Sequence, residues 1–399
     1  MSAVEQIVTA PVTRDIAWLR QALQSAIALE HSTLPLYTAA MLSLEVQNYP
    51  TYNTIRSVLM EEMVHMATAA NMLAAIGGTP DIKRLDPRYP RQGLPGGVEP
   101  DLELGLVQLS RPQLRNFMRL EAPLFLLADE YRAESYPTIG GLYVAIKEAI
   151  TDNAAAVRRA FAVGGLANQV GDNIGFNTFI PAPGVDPVAL LHAGVDEIIE
   201  QGEGSRRGTI HAGPAYQNEE SHYGKFAELW YGAHYEPPQP PVPLSTETEA
   251  RYFRGDPIPW PEVINTLAVP SDGYARILAL DPDGPAVQTS LESFDAVYSG
   301  MLLSLHNMWN GPLETLWPTF GEAVKSMMEL RVLSCFTMMR AEIPPAIIAD
   351  LPELYPSEFA FLARYTDLDK PVFYGPRFRN VNVAPAWPAC ATGQAGQLG

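Results

Sequence analysis

The chain has 399 residues, 47% of them apolar and 18% charged, which gives ample material for a dry core and excludes a disordered chain. With 27 basic against 45 acidic residues the formal net charge is −18, which excludes a nucleic-acid partner that needs a concentrated Lys/Arg field. Two cysteines, Cys335 and Cys390, exclude a disulfide framework, and the absence of a basic leader or a long uncharged apolar run makes a cytoplasmic protein away from membranes the expectation.

From Asp15 to about Asn48 the apolar positions Ile16, Leu19, Leu23, Ala26, Ile27 and Leu34 step by three and four, which predicts one long helix. Pro35 inside it frees the carbonyl of His31 and predicts a kink. A second helix runs from about Tyr52 to Ile76 and is stopped by Gly77 and Gly78. Thr79 to Glu99, rich in Pro and Gly, reads as an excursion loop. Ser110 and Pro112 open a third helical segment that Pro123 breaks or kinks. Further helices are predicted from Thr138, from Asp186 (its N-cap, with Pro187 first) to Gly202, and from about Tyr216 to Gly232. PPQPPVP, at 237–243, is the strongest linker signal in the chain. Two more helices are predicted beyond it, about Val287 to Asn310 and Phe320 to Met339. The predicted organisation is a bundle over 1–236, a Pro-rich linker at 237–244 and a helical region over 245–399 that packs on the bundle.

Helix seams should be apolar, and here they are interrupted in phase. The first stripe, continued by its own steps, lands on Glu30; the second lands on Glu62 and His65 before resuming at Ala69. Glu219 and His222 lead in the same way into Phe226 and Leu229. A buried carboxylate without a partner costs several kcal/mol, so seams that each deliver carboxylate or imidazole call for a shared counter-charge, which a metal supplies. A Glu from each of two helices plus Glu-x-x-His from each of two others is the ligand set of dinuclear carboxylate bundles. The remaining helix offers Glu203, nearest its apolar face, with Glu200 as the alternative and Glu197 in solvent. Glu30 has a second reading, as an interior carboxyl hydrogen-bonded to Tyr37. Tyr37 and Tyr223 are candidates for gating protons or electrons. No nucleotide-binding loop is present.

AIALEHSTLPLY, EEMVHMATAANMLAAIGGTP, FMRLEAP, TIGGLY, EQGEG and ESHYGKF follow one another as in the ferritin-like domain of the iminophenylpyruvate dimer synthases, which the chain resembles from about Asp15 to Gly232. The resemblance implies an all-α, ferritin-like four-helix bundle with long loop excursions and a helical C-terminal annex, and an oxidative role in specialised metabolism. It does not extend to the haem-binding portion of those enzymes. Where relatives tend to read TIGEFY this chain has Gly141, so any ligand role of that Glu is lost. The expectation is a non-haem oxidase or oxygenase with two Fe ions (alternatively Mn), without haem or nucleotide, that takes O2 and a small, amino-acid-derived substrate. Its ligands would be Glu30, Glu62, His65, Glu203 or Glu200, Glu219 and His222. The alternative is a non-catalytic ligand-binding or accessory protein with a degenerate metal site. Either reading leaves room for a homodimer or a pathway-enzyme partner.

Overall fold

The computed structural model describes residues 13–45, 50–126, 138–164, 169–171, 184–202, 204, 209–211, 219–240 and 242–383. α1 (Ile16–Leu42) starts where Asp15 accepts from the backbone N–H groups of Ala17 and Trp18 at 3.0 and 2.9 Å. It continues unbroken through Pro35 and ends at Leu42, short of the expected Asn48. Buried side chains lie on nearly every side of it, the mark of a central helix rather than a surface one. α2 (Pro50–Ala75) packs along it.

The segment expected to be an irregular loop contains a hairpin. β1 (Arg91–Leu94) pairs antiparallel with β2 (Val98–Leu104), Arg91 facing Leu104 and Leu94 facing Val98. Its strands are too short and too interrupted by glycine and proline to show alternation in the sequence. α3 (Arg111–Leu120) is capped by Ser110 Oγ, which accepts from Gln113 N–H, and it stops at Leu120, ahead of Pro123. α4 (Ile139–Asp152), α5 (Ala154–Gly164) and α6 (Pro187–Gly202) follow; Asp186 accepts from the N–H groups of Val188 and Ala189 and caps the last of these. α7 spans only His222–Tyr231, with Ser221 at its N-cap and Gly232 closing it at φ 73°, a left-handed turn that suits a residue without Cβ.

α1, α2, α6 and α4 contact in a ring and form a four-helix bundle. α3 and α7 pack on each other and close the other flank: α7 lies on α2, and Tyr37 of α1 packs edge-on against Phe117 of α3 with ring centroids 4.6 Å apart. The two long helices are thus enclosed from both sides.

β3 (Ala233–Tyr235) and β4 (Phe253–Pro257) pair antiparallel and bracket the Pro-rich stretch. Beyond them lie α8 (Ala275–Leu280), α9 (Gly284–Asn310), α10 (Leu316–Phe336) and the short helices α11 (Pro345–Ala349), α12 (Leu351–Leu354) and α13 (Phe359–Tyr365). One apolar core runs without a break from Leu19 and Ile27 in the bundle to Leu302, Phe361 and Phe378 beyond the Pro-rich stretch. No described helix is long and apolar enough to cross a membrane.

Candidate metal centre

Glu30, Glu62, His65, Glu121 and His222 are all buried and meet where α1 and α2 pass between the two flanking helix pairs. Glu62 and His65 share one face of α2, a turn apart. Ligating atoms of Glu62, His65 and His222 lie within 4.8 Å of one another, so the three could hold a metal ion between them. Glu30 and Glu121 flank this triad: Glu30 Oε2 is 3.9 Å from His65 Nδ1, and Glu121 Oε2 is 3.4 Å from His222 Nδ1.

Both imidazoles are oriented alike. His65 donates from Nε2 to Gln201 Oε1 at 2.7 Å, and His222 donates from Nε2 to Glu61 Oε2 at 2.9 Å. Each ring therefore turns Nδ1 inward, and the two rings stack at 5.2 Å. An outer acceptor on the far nitrogen is the usual device for fixing the tautomer and aim of a metal-binding histidine. Glu61 is itself held by Lys225 Nζ at 2.6 Å. Thr33 Oγ1 donates to Glu62 Oε2 at 2.8 Å, Tyr143 donates to Glu30 and Tyr37 donates to Glu121.

The charges are strongly coupled. Burial, then the neighbouring Glu62 charge, raises the Glu30 carboxyl well above its usual range against the pull of the Tyr143 hydrogen bond. Burial acts the same way on Glu62, but hydrogen bonds from His222 and His65 outweigh it and hold Glu62 below the usual range. For His222 burial would favour the neutral ring; Glu121, Glu61 and Glu62 overcome that and raise it well above its usual value. Glu61 is lowered to about 2 because His222 and Lys225 outweigh its burial.

The residues fit a metal ion. His222 Nδ1 is fully buried and faces two acids, Glu62 Oε1 at 2.7 Å and Glu121 Oε2 at 3.4 Å, so it is aimed at the same point as the carboxylates. The enclosed space beside Glu30, Glu62, His65 and Glu121 is about 20 Å³, room for an ion or a water, and no Lys or Arg lines it.

Several expectations need correction. Glu219 is exposed and precedes α7, whose first residue is His222, so the second Glu-x-x-His does not lie on a helical face. The carboxylate that approaches His222 Nδ1 from outside α2 is that of Glu121, at the C-cap of α3. Its signal was in the sequence: Leu114, Phe117 and Glu121 continue one helical stripe by the same steps that lead to Glu30. Glu203 lies outside the described residues. Glu200 is half-buried on α6, which lines the space with Ile198, Ile199 and Gly202 rather than with an acid. Glu197, expected in solvent, is half-buried, and burial raises its carboxyl. Tyr37 bonds Glu121 rather than Glu30, whose partner is Tyr143. Tyr223 points away from the centre, donating to Glu249 Oε1 at 2.6 Å within a separate apolar cluster. Gly141 is exposed in the first turn of α4, its N–H bonded to Thr138 Oγ1 at 3.0 Å.

The ferritin-like family profile matches residues 23–231, a little over half of the chain. The chain belongs to the ferritin-like family. The matched segment contains all five buried acids and imidazoles of the centre. A solved structure of a ferritin-like protein from Caulobacter vibrioides is similar in fold over 79% of this chain and 94% of its own, with 22% identity and a TM-score of 0.51. Among curated proteins none matches the sequence. The comparisons thus reach the ferritin-like domain and not the narrower group of iminophenylpyruvate dimer synthases. A ferritin-like bundle is compatible with a di-iron protein, and three carboxylates with two imidazoles make up most of such a ligand set.

Proposed function

We propose that this ferritin-like chain is a non-haem, metal-dependent oxidoreductase that uses O2 to oxidise a small metabolite, with an amino-acid-derived compound as the substrate class. Glu62, His65 and His222 would hold the first ion, and Glu30 and Glu121 would complete a second position beside it. Iron is the first choice and manganese the alternative, since mixed carboxylate and imidazole donors suit both. The observation that carries the reading is the inward Nδ1 of His222, converging with the buried carboxylates of Glu62 and Glu121 on a space that no basic side chain lines.

When bound, iron supplies a redox-active Lewis acid with coordination positions open to O2. The protein's own groups do the rest. Glu61 and Gln201 fix the two imidazoles. Tyr37 and Tyr143 hold protons at their hydroxyls, against Glu121 and Glu30, where they can be passed to carboxylate. Leu120, Ile139, Ile198 and Ile199 keep bulk water out.

Metal content of protein purified without chelator, followed by anaerobic ferrous loading and O2 exposure, tests this. Up to about two irons per chain and O2 consumption that is lost in Glu62→Ala are expected. A second reading, an accessory protein with a degenerate site, is favoured by the acid-free face of α6; it expects substoichiometric metal and no O2 consumption.

A further inference from the structure

A second cavity, of about 680 Å³, lies between α1 and α2 on one side and α9 and α10 on the other. It occupies the opposite face of the two long helices from the metal centre: His31, Met63 and Met66 line it, each next in sequence to Glu30, Glu62 or His65. Its size falls within the roughly 300–1,000 Å³ of pockets that enclose small organic ligands.

Its lining is graded. Eight of the chain's thirteen methionines face it, an apolar wall whose unbranched side chains adapt to a ligand's shape. Two arginines, Arg56 and Arg331, belong to the same lining. Arg56 is exposed and one turn from Tyr52, and the Arg331 guanidinium lies 6.0 Å from the Tyr52 ring centroid, so both cations gather at one end. Neither has a carboxylate partner among the described residues, in a chain with 45 acids to 27 bases. Elsewhere in the lining stands a buried polar pair: Tyr298 Oη is 2.9 Å from His31 Nε2, while His31 Nδ1 is fully buried without a partner. The two cations at one end and the unmet polar atom in the wall are the groups that an anionic, largely apolar ligand would meet.

We propose that this cavity binds an elongated apolar carboxylate of the fatty-acid type, its chain along the methionines, its carboxylate on Arg56 and Arg331, and any oxygen substituent on the chain within reach of His31. The assignment does not depend on the metal centre or on its chemistry.

Fluorescence titration of the full-length protein with cis-parinaric acid, followed by displacement with palmitate, tests it. Saturable binding of one probe per chain is expected, with palmitate displacing it and methyl palmitate displacing it far less. The Arg56→Gln/Arg331→Gln double variant should weaken binding by about tenfold, as loss of a charge-assisted contact does. Met327→Trp, which fills the cavity from α10, should abolish it in protein that still melts cooperatively. Non-saturable binding would overturn the proposal. So would wild-type affinity in both variants, or methyl palmitate competing as well as the acid. Because the arginine variant alters only charge at the rim, it keeps the test valid if Met327→Trp does not fold. Retention of probe binding after metal removal separates this site from the oxidative reading.

Discussion

Glu61 Oε2 stands 2.9 Å from His222 Nε2 and thereby commits the opposite nitrogen of that ring to the acid cluster. The acid that orients the imidazole is thus the sequence neighbour of Glu62, which stands on its inner side. Consecutive residues of a helix point about 100° apart, so α2 can grip one ring from both edges only because α7 presents His222 end-on, as its first residue.

Glu61→Gln keeps the shape of this contact and removes its charge. Metal affinity is expected to fall by about 10–100-fold, as for other outer partners of ligating histidines. Competition against a chromophoric chelator measures it, and an unchanged constant would assign Glu61 to Lys225 alone.

Glu121 and Glu219 make a discriminating pair. Glu121→Ala should reduce bound metal and leave the Tyr37 hydroxyl without its acceptor, whereas Glu219→Ala, altering an exposed residue, should match wild type in metal content. Elemental analysis of the two purified variants decides; the reverse ranking would restore Glu219 as a ligand.

The stability of metal-free protein should peak in weakly acidic solution. Glu61 and Glu62 have folded pKa values below their unfolded ones, so their contribution is complete above about pH 4.5 and is lost as pH falls through the folded values, about 2 for Glu61. Glu30 is shifted upward, so rising pH above about 4.5 favours the unfolded chain, in which this carboxyl ionises freely. His222, also raised, contributes fully below about 6.5, and its contribution fades as pH climbs through its folded value. Thermal melts at pH 3, 5.5 and 8 should therefore be highest at 5.5. A monotonic rise to pH 8 would contradict the upward shifts of Glu30 and His222.

Tyr143→Phe removes the donor to Glu30 inside a buried cluster. The expected cost in metal-free protein is about 1–3 kcal/mol, the usual penalty for an unsatisfied buried acceptor, read by denaturant unfolding. Metal-loaded protein should lose less, since an ion can satisfy the same oxygen.

Glu30, Glu62, His65 and His222 were legible because each falls in phase with an apolar stripe, and a charge there demands explanation. Glu219 misled because its spacing to His222 is helical on paper, whereas Ser221 caps the helix and leaves Glu219 outside it. Nothing local to Tyr143 announced a polar partner, since Tyr143 continues an apolar pattern and finds Glu30 only through the packing of α4 on α1. The hairpin at 91–104 was hidden by its brevity. The partners of Nε2, Glu61 and Gln201, are out of phase with the apolar stripes, so no interrupted seam marks them.

The unbroken hydrophobic interior has a practical corollary for dissection. Expressing only the half that bears the family signature would strip α1 and α2 of the face that α9 and α10 shelter and expose apolar side chains to water. Any dissection of the chain should therefore keep the bundle together with its helical companion.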